Sequence, residues 1–277
     1  MILELPQEGF PRAGHLLGDL GHYLVLTTLL QGRTPGRIWA NDADKPATAL
    51  VWDELNGFFF LAGDSSNGDI NQELNHLLMD TIFPQAIRLG YRHFFLQLTP
   101  QRWDTQVEVI LKGTTPGRCF VHGYQLDAGH STIGVNGAAT PPAGYKLARI
   151  TEGLLGKTDV ENLSEVVSCI RACWGSTDRY VADGGLGYCL VRGEVIVSWC
   201  STDYLIGDAC ELYVETFEGY KRRGLGTLTA AACVQACVAQ GLTVYWHCFG
   251  DNLGSVRIAE KLGFGKTTEC LVYVVDL

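Results

Sequence analysis

A run of cations followed by glycines lies near the C-terminal end of the sequence. Residues 220–227 read Tyr-Lys-Arg-Arg-Gly-Leu-Gly-Thr, and residues 224–250 contain no Asp, Glu, Lys or Arg. Glycines at the start of a helix let backbone N–H groups approach an anion closely, and the first N–H groups of a helix have no partner inside it. The helix dipole adds partial positive charge there. The segment predicts that a small anionic ligand binds at the start of a buried helix.

Two common phosphate loops do not fit this segment. A dinucleotide-binding loop needs Gly-x-Gly-x-x-Gly, and after Gly224 and Gly226 the third glycine position holds Thr229. A Walker loop is suggested by Gly265-Lys266, but its first glycine position holds Glu260. The pyrophosphate loop of acyl-CoA transferases, (Arg/Gln)-x-x-Gly-x-(Gly/Ala), matches residues 221–226 with a lysine in its first position.

Residues 186–264 resemble the GNAT superfamily of N-acetyltransferases, and more narrowly the branch that includes zwittermicin-A-resistance-type acetyltransferases. The motifs that carry the resemblance are, in order, GYCLVRGEVIVSWC, ELYVETFEGYKRRGLGT and WHCFGDNLGSVRIAEKLGF. In the last motif Asn252 opens a helix, and Ser255, Ala259 and residues 261–264 follow at the superfamily's spacing. The first half of the chain resembles the family only through ALVWDELNGFFFLAG.

This resemblance implies that acetyl-CoA is the co-substrate. It implies that the strand Glu211–Thr216 separates from a neighbouring strand at a bulge, where the pantetheine arm pairs with exposed backbone. It also implies that backbone amides of residues 222–227 hold the pyrophosphate and that Lys221–Arg223 add charge. For Asn252, a helix cap alone is the other interpretation. The residues assigned to acetyl-CoA are Leu212, Val214, Thr216, Lys221, Arg222, Arg223, Gly224, Leu225, Gly226, Thr227, Asn252 and Ser255.

The chemistry implied by the resemblance is direct attack of an amine on the thioester. Such a reaction needs a base, a donor for the carbonyl oxygen and an acid for the departing thiolate. Glu211 stands where this branch carries a glutamate and is the candidate base; a solvated or salt-bridged strand glutamate is the alternative. A backbone N–H near Val214 is the candidate oxyanion donor. The family's usual tyrosine position holds Ala259.

The identity of the acid that protonates the thiolate is therefore open, and the candidates are Tyr204, Tyr213, Cys248 and a water molecule. Alternation along a strand places Glu211, Tyr213 and Glu215 on one face. The pair His247-Cys248 also allows a nucleophilic cysteine and an acyl-cysteine intermediate. The other interpretation is that the two side chains simply point to opposite faces of the sheet at the end of a strand. The catalytic candidates are Glu211, Tyr213 and Cys248.

The elements that would position these residues form an α/β fold. We expect a GNAT fold with a mixed, largely antiparallel sheet flanked by helices over residues 144–277. We expect a smaller N-terminal α/β domain over residues 1–143 that forms one side of the acceptor site. This domain is itself a candidate degenerate GNAT unit. A Gly-, Ala-, Thr- and Pro-rich connector over residues 127–144 predicts the boundary. Periodicity and turn signals predict the remaining elements.

These elements are predicted as follows. Helices are expected over residues 70–89, 99–113, 159–174, 224–240 and 252–262, and a hairpin turn at Asn56-Gly57. Strands are expected over residues 48–55, 58–63, 91–98, 145–153, 187–192, 195–200, 209–217, 243–248 and 264–275.

Composition and charge exclude several classes of protein. The net charge is −9, so we expect no nucleic-acid partner. The first ten residues lack the basic, apolar pattern of a signal peptide, and we expect a cytoplasmic protein with no membrane partner. Of the ten cysteines, all but Cys119 follow residue 168, and no Cys-x-x-Cys pair occurs. We expect buried thiols and no metal site.

The leading hypothesis is an acyl-CoA-dependent N-acetyltransferase that acts on a small amine in a ternary complex. A GNAT fold that binds acyl-CoA without turnover, as a sensor or scaffold, is the alternative that the missing tyrosine supports. A longer-chain or glycine-type acyltransferase is a third hypothesis. The acceptor amine and the oligomeric state are open, with a homodimer as one arrangement.

Overall fold

The computed structural model describes residues 1–127 and 140–277. The chain forms two compact units, one of residues 1–121 and 270–277 and one of residues 122–269. The connector predicted over residues 127–144 lies largely outside the described residues. The predicted domain boundary between residues 143 and 144 stays a prediction. The chain passes from one compact unit to the other between residues 121 and 122 and between residues 269 and 270, each within a strand.

The strands and helices have the following bounds. The strands are β1 (Leu3–Glu4), β2 (Gly36–Ala40), β3 (Thr48–Asp53), β4 (Phe58–Gly63), β5 (His93–Thr99), β6 (Gly117–Leu126), β7 (Lys146–Arg149), β8 (Gly187–Arg192), β9 (Val195–Ile206), β10 (Ala209–Thr216), β11 (Thr243–Phe249) and β12 (Gly265–Asp276). The α-helices are α1 (Leu24–Leu30), α2 (Gly68–Leu77), α3 (Phe83–Arg88), α4 (Val107–Ile110), α5 (Glu152–Leu155), α6 (Leu163–Trp174), α7 (Thr177–Ala182), α8 (Leu225–Ala239) and α9 (Leu253–Lys261). Segments of 3-10 helix cover Gln7–Leu20 and Gln101–Gln106.

The first unit is built on the strand order β1-β2-β3-β4-β5-β12. Its pairs are antiparallel except β4 with β5. The core beside this sheet is aromatic, with Trp52, Phe59, Phe94 and Trp103 almost fully buried. Burial of such large rings is the main stabilising contribution in this unit.

The second unit has the strand order β6-β11-β10-β9-β8-β7. Strands β7 to β10 pair in antiparallel fashion, and β10 pairs with β11 in parallel. Helix α8 is apolar on all sides, and Ala230, Cys233, Val234 and Cys237 have no exposed surface. A helix without a polar face belongs inside a fold, which explains the uncharged run after Gly224. The mixed, largely antiparallel α/β fold predicted for this part of the chain is confirmed.

Two predicted helices of the first unit are corrected by the structure. The helix expected over residues 70–89 is divided into α2, a π-helical turn at Leu78–Ile82, and α3. Pro84 lies in the first turn of α3, and its missing N–H removes one i→i−4 bond from a continuous helix. The helix expected over residues 99–113 is a 3-10 segment followed by only four α-helical residues.

Further differences concern the ends of elements and the elements that were not predicted. Helix α6 begins at Leu163 rather than Asp159, and the strand expected over residues 145–153 stops at Arg149, because Thr151 caps α5 through its side chain. The elements that were not predicted are strands β1, β2 and β6 and helices α1, α5 and α7. The sequence of β6 mixes Gly, Arg, Cys and His with apolar residues, so its alternation is weak.

Candidate active site

Strands β10 and β11 begin as neighbours and then separate. Their parallel pairing covers Ala209, Cys210 and Glu211, which lie opposite residues 243–245. Strand β10 continues to Thr216 and β11 to Phe249, but within the described residues this pairing ends at Glu211. The backbone of β10 beyond Glu211 therefore faces an opening on its β11 side. The separation is the feature that the resemblance implied for this strand.

A β-bulge lies at the same point on the other side of β10. Glu211 lies opposite Tyr204 of β9, whereas Leu212 lies opposite Thr202. Asp203 is thus the extra residue of the bulge. A bulge disrupts the ladder locally and bends the strand that carries it, and this one distorts the β9–β10 ladder at Glu211, the residue after which β10 and β11 no longer pair.

The 221–227 loop joins β10 to the start of α8. Residues 221–224 are exposed. Gly224 is the N-cap residue of α8 with φ 76°, and no side chain caps this end of the helix. Arg222 also has a positive φ, 60°, a conformation that is uncommon outside glycine and that clusters at functional sites. Alternating backbone conformations of this kind direct consecutive amides into an anion-binding concavity.

Gly226 holds the first turn of α8 close to β10. A Cβ atom at this position would lie 2.8 Å from Thr216 Oγ1 and 3.4 Å from Ile258 Cδ1. Thr216 Oγ1 lies 2.9 Å from Ser198 Oγ, which in turn lies 3.1 Å from Thr229 Oγ1. This buried hydroxyl cluster ties β9, β10 and α8 together at the mouth of the loop, and it fixes where the amides of α8 point.

Glu211 is held by a histidine from the neighbouring strand. His247 Nδ1 lies 2.7 Å from Glu211 Oε1, and the two side chains are only 9% and 14% exposed. An ionised carboxylate only accepts hydrogen bonds, so Nδ1–H is the donor in this pair. Glu211 Oε2 is buried and has no hydrogen-bond partner among the described residues. One carboxylate oxygen is therefore fixed by His247, and the other is available to a ligand at the fork of the two strands.

Tyr213 and Glu215 follow Glu211 on the same face of β10. The Tyr213 hydroxyl donates to Glu215 Oε2 at 3.3 Å, and the Tyr213 ring lies 5.2 Å from that of Trp199. Burial, reinforced by the charge of Glu215, raises the pKa of Tyr213 well above its usual range. Tyr213 therefore keeps its proton at neutral pH, as a general acid must.

The remaining candidates lie at the end of β11 and the start of α9. The Asn252 side chain caps α9 by accepting from Ser255 N at 3.2 Å, and Ser255 Oγ accepts from Trp246 Nε1 at 2.9 Å. Burial raises the pKa of Cys248, although hydrogen bonds from Ser255 and Trp246 oppose the shift. A thiol with a raised pKa has little thiolate at neutral pH, which disfavours a nucleophilic Cys248.

The structure thus places Glu211 and Tyr213 on one face of β10, and the 221–227 loop follows the C-terminal end of that strand. Leu212 and Val214 direct their side chains into the core beside α8, so only their backbone can meet a ligand. Ala259, at the family's tyrosine position, is fully buried and offers no acid. His247 was considered only as part of a nucleophilic pair. Its contact with Glu211 depends on the β10–β11 register, which no local pattern predicts.

Comparisons with known proteins place the chain in a family. A family model described as GNAT acetyltransferase matches residues 15–273. A Bacillus subtilis (strain 168) protein named "Uncharacterized N-acetyltransferase YdfB" is 26% identical over 274 residues, which covers 99% of this chain and 98% of that protein.

Solved structures show the same fold over nearly the whole chain. A GCN5-related N-acetyltransferase-like protein from Streptococcus suis 89/1591 has a TM-score of 0.71 at 23% identity, covering 97% of this chain and 98% of its own. A GCN5-related N-acetyltransferase from Sphaerobacter thermophilus has a TM-score of 0.63 at 11% identity, with 99% and 95% covered. Among the described residues, none of the helices has the length and apolar character needed to cross a membrane. The chain belongs to the GNAT acetyltransferase family, the class of enzyme that the 221–227 loop and the Asn252 helix predict.

Proposed function

We propose that this protein transfers an acetyl group from acetyl-CoA to a small primary amine by direct attack in a ternary complex. The observation that carries the proposal is the separation of β10 from β11 immediately after Glu211, on the strand that leads into the uncapped start of α8. Helix amides for the diphosphate, free strand backbone for the pantetheine amides, and the Glu211 carboxylate then follow in that order from the start of α8 back along β10.

In this mechanism Glu211 is the base. Its Oε2 atom accepts the proton of the incoming ammonium, while His247 holds Oε1 in place. The free amine then attacks the thioester carbonyl carbon, and a backbone N–H of β10 near Val214 donates to the developing oxyanion. His247 is a positioning residue, because it acts through Glu211 rather than on the substrate.

Collapse of the tetrahedral intermediate breaks the C–S bond and requires an acid for the thiolate. Tyr213 is the proposed acid, because its raised pKa keeps it protonated and its hydroxyl lies on the same face of β10 as Glu211. Cys248, also protonated at neutral pH, is the second candidate. Glu211 takes one proton from the ammonium, the thiolate takes the proton of the acid, and the second N–H proton of the tetrahedral intermediate passes to water, from which the acid regains its proton; the amide and free CoA are the products.

The diphosphate would lie at the start of α8. The amides of residues 222–227 would donate to it, and Lys221, Arg222 and Arg223 would add charge. Lys221 already pairs with Glu218 at 3.1 Å, and exposed ion pairs of this kind contribute at most about 1 kcal/mol. The backbone amides, rather than the three cations, are therefore the main binding element. Asn252 and Ser255 stay candidates for contact with the pantetheine arm.

The test is thiol release from acetyl-CoA with a panel of primary amines, compared between wild-type protein and Glu211→Gln. We expect at least one amine to give turnover, and we expect Glu211→Gln to lower kcat by 10²- to 10³-fold, roughly the contribution of a general base. Glu194→Gln, at an exposed position in the β8–β9 turn, is the matched control and should match wild type. An unchanged rate in Glu211→Gln would exclude Glu211 as the base.

A protein that binds acyl-CoA without turnover is the second candidate function. The observation that favours it is the buried Ala259, which leaves the family's usual acid position without a proton donor. Calorimetric binding of acetyl-CoA without thiol release for any amine would support this binding protein. Turnover that Tyr213→Phe lowers would contradict it.

A further inference from the structure

Two cysteines and an aspartate meet between α6 and β9, apart from the 221–227 loop. Cys169 and Cys173 are four residues apart on α6 and therefore lie on one helix face. Asp203 is the extra residue of the β9 bulge. The two sulfur atoms and a carboxylate oxygen all lie within 4.8 Å of one another.

Within the part of the chain that the structure describes, the groups acting on the Asp203 carboxyl include no cation. Asp203 is partly buried, and the neighbours of its carboxyl are the thiols of Cys169 and Cys173 and the carboxylate of Glu211. Buried carboxyl groups are normally paired with cations, rich in hydrogen bonds or bound to metal ions. A carboxyl whose neighbours are two thiols and a second acid fits the last of these conditions.

We propose that Cys169, Cys173 and Asp203 bind a thiophilic divalent cation of the zinc class. Zinc accepts thiolate and carboxylate ligands at about 2.3 Å and about 2.0–2.2 Å, which separates ligand atoms in a tetrahedron by roughly 3.3–3.8 Å. The three ligand atoms lie within 4.8 Å of one another, so shifts of at most roughly 1.5 Å would bring them to these separations. The fourth position is open to water or to a further ligand. The expectation of no metal site relied on the lack of Cys-x-x-Cys, but Cys-x₃-Cys is also a zinc spacing.

Binding must release protons, because only thiolates and a carboxylate bind the ion. One divalent cation would displace the two thiol protons and the carboxyl proton, with up to three protons released per ion. The bound ion supplies the positive charge that Asp203 lacks. A bound metal ion would also explain why two cysteines lie beside Asp203, because a thiophilic metal prefers sulfur ligands. Pairing of the carboxylate with an ammonium group would require no cysteine.

The chain contains a matched control for this site. Cys233 and Cys237 are also four residues apart on one helix, α8, and their thiols are hydrogen-bonded to each other. Both are fully buried. Among the described residues no carboxylate joins them in a candidate metal group. Both cysteine pairs have the same spacing on a helix. A difference in metal binding between them would therefore come from Asp203 and from the access of the metal ion to the thiols.

The experiment is a titration of chelator-treated, reduced protein with Co²⁺, followed by displacement with Zn²⁺. We expect one equivalent of Co²⁺ to bind, with near-ultraviolet sulfur-to-cobalt absorption and with a Kd that rises more than tenfold per unit fall in pH. The double variant Cys169→Ser/Cys173→Ser should lose the absorption. Asp203→Asn should weaken binding at least tenfold, and Cys233→Ala should retain wild-type binding.

Circular dichroism would establish that each variant is folded. If the double variant does not fold, the single variant Cys169→Ser replaces it in the titration. Three results would each overturn the proposal: no stoichiometric binding by the reduced wild-type protein, sulfur-to-cobalt absorption that persists in the folded cysteine variant, or a Cys169–Cys173 disulfide in freshly purified protein with no bound metal. None of these measurements depends on acetyl transfer, so the proposal stands or fails independently of the proposed function.

Discussion

Replacement of Gly224 by aspartate places a carboxylate at the proposed diphosphate site without other large changes. Gly224 is the N-cap residue of α8, its φ is 76°, and nothing lies within 4 Å of a Cβ atom built on it. Gly224→Asn is the matched control, because asparagine has nearly the same size and tolerates left-handed backbone as well as aspartate does. The two variants differ mainly by one negative charge.

The expected difference follows from Coulomb's law. Two unit charges about 5 Å apart in water repel by roughly 0.8 kcal/mol, so a carboxylate and a doubly charged diphosphate repel by roughly 1.7 kcal/mol before screening. A difference of about 1.4 kcal/mol is tenfold in Kd. We therefore expect Gly224→Asp to bind CoA at least tenfold more weakly than Gly224→Asn at low ionic strength, and only a few-fold more weakly in 1 M salt.

Isothermal titration calorimetry with CoA at two salt concentrations measures this difference directly. Thermal unfolding of both variants controls for backbone strain, which should destabilise them about equally. Equal affinities of folded Gly224→Asp and Gly224→Asn at low salt would refute the assignment of the diphosphate to the start of α8. A difference that does not shrink with salt would show that its cause is not electrostatic.

Further predictions concern the other parts of the site. Gly226→Val should weaken CoA binding and lower stability, because a Cβ atom would lie 2.8 Å from Thr216 Oγ1; calorimetry and thermal unfolding would measure both, and wild-type values would contradict the packing argument. His247→Ala should lower kcat about tenfold, leave KM for acetyl-CoA unchanged and displace the acidic limb of the kcat–pH profile, whereas a purely structural role would leave that limb in place. Tyr213→Phe should lower kcat, and in wild type no descending limb from Tyr213 should occur below about pH 10, because the raised pKa retains the proton beyond the ordinary tyrosine value. In metal-free protein Asp203→Asn should raise the free energy of unfolding more at pH 7.5 than near pH 4.5, because a raised carboxyl pKa lowers stability as pH rises above the unfolded-state value. Denaturant titrations at the two pH values would show the opposite trend if the carboxyl were stabilised as an anion.

Local sequence was sufficient for the elements that carry strong and regular signals. The uncharged run after Gly224 predicted α8, and Gly241, with φ 78°, ends it as expected. The Asn252 cap predicted α9 within one residue at its start. These features depend on neighbours a few residues away, which is why spacing in the sequence is enough to identify them.

Contacts between distant residues were decided only by the tertiary structure. The sequence identified Glu211 and His247 separately, but their positions are 36 residues apart along the chain. Only the parallel register that places Glu211 opposite Tyr245 brings them together. Asp203 reaches Cys169 and Cys173 because a bulge in β9 adds a residue at that point. Register and bulges arise from the packing of whole faces of a sheet, and no single stretch of sequence encodes them.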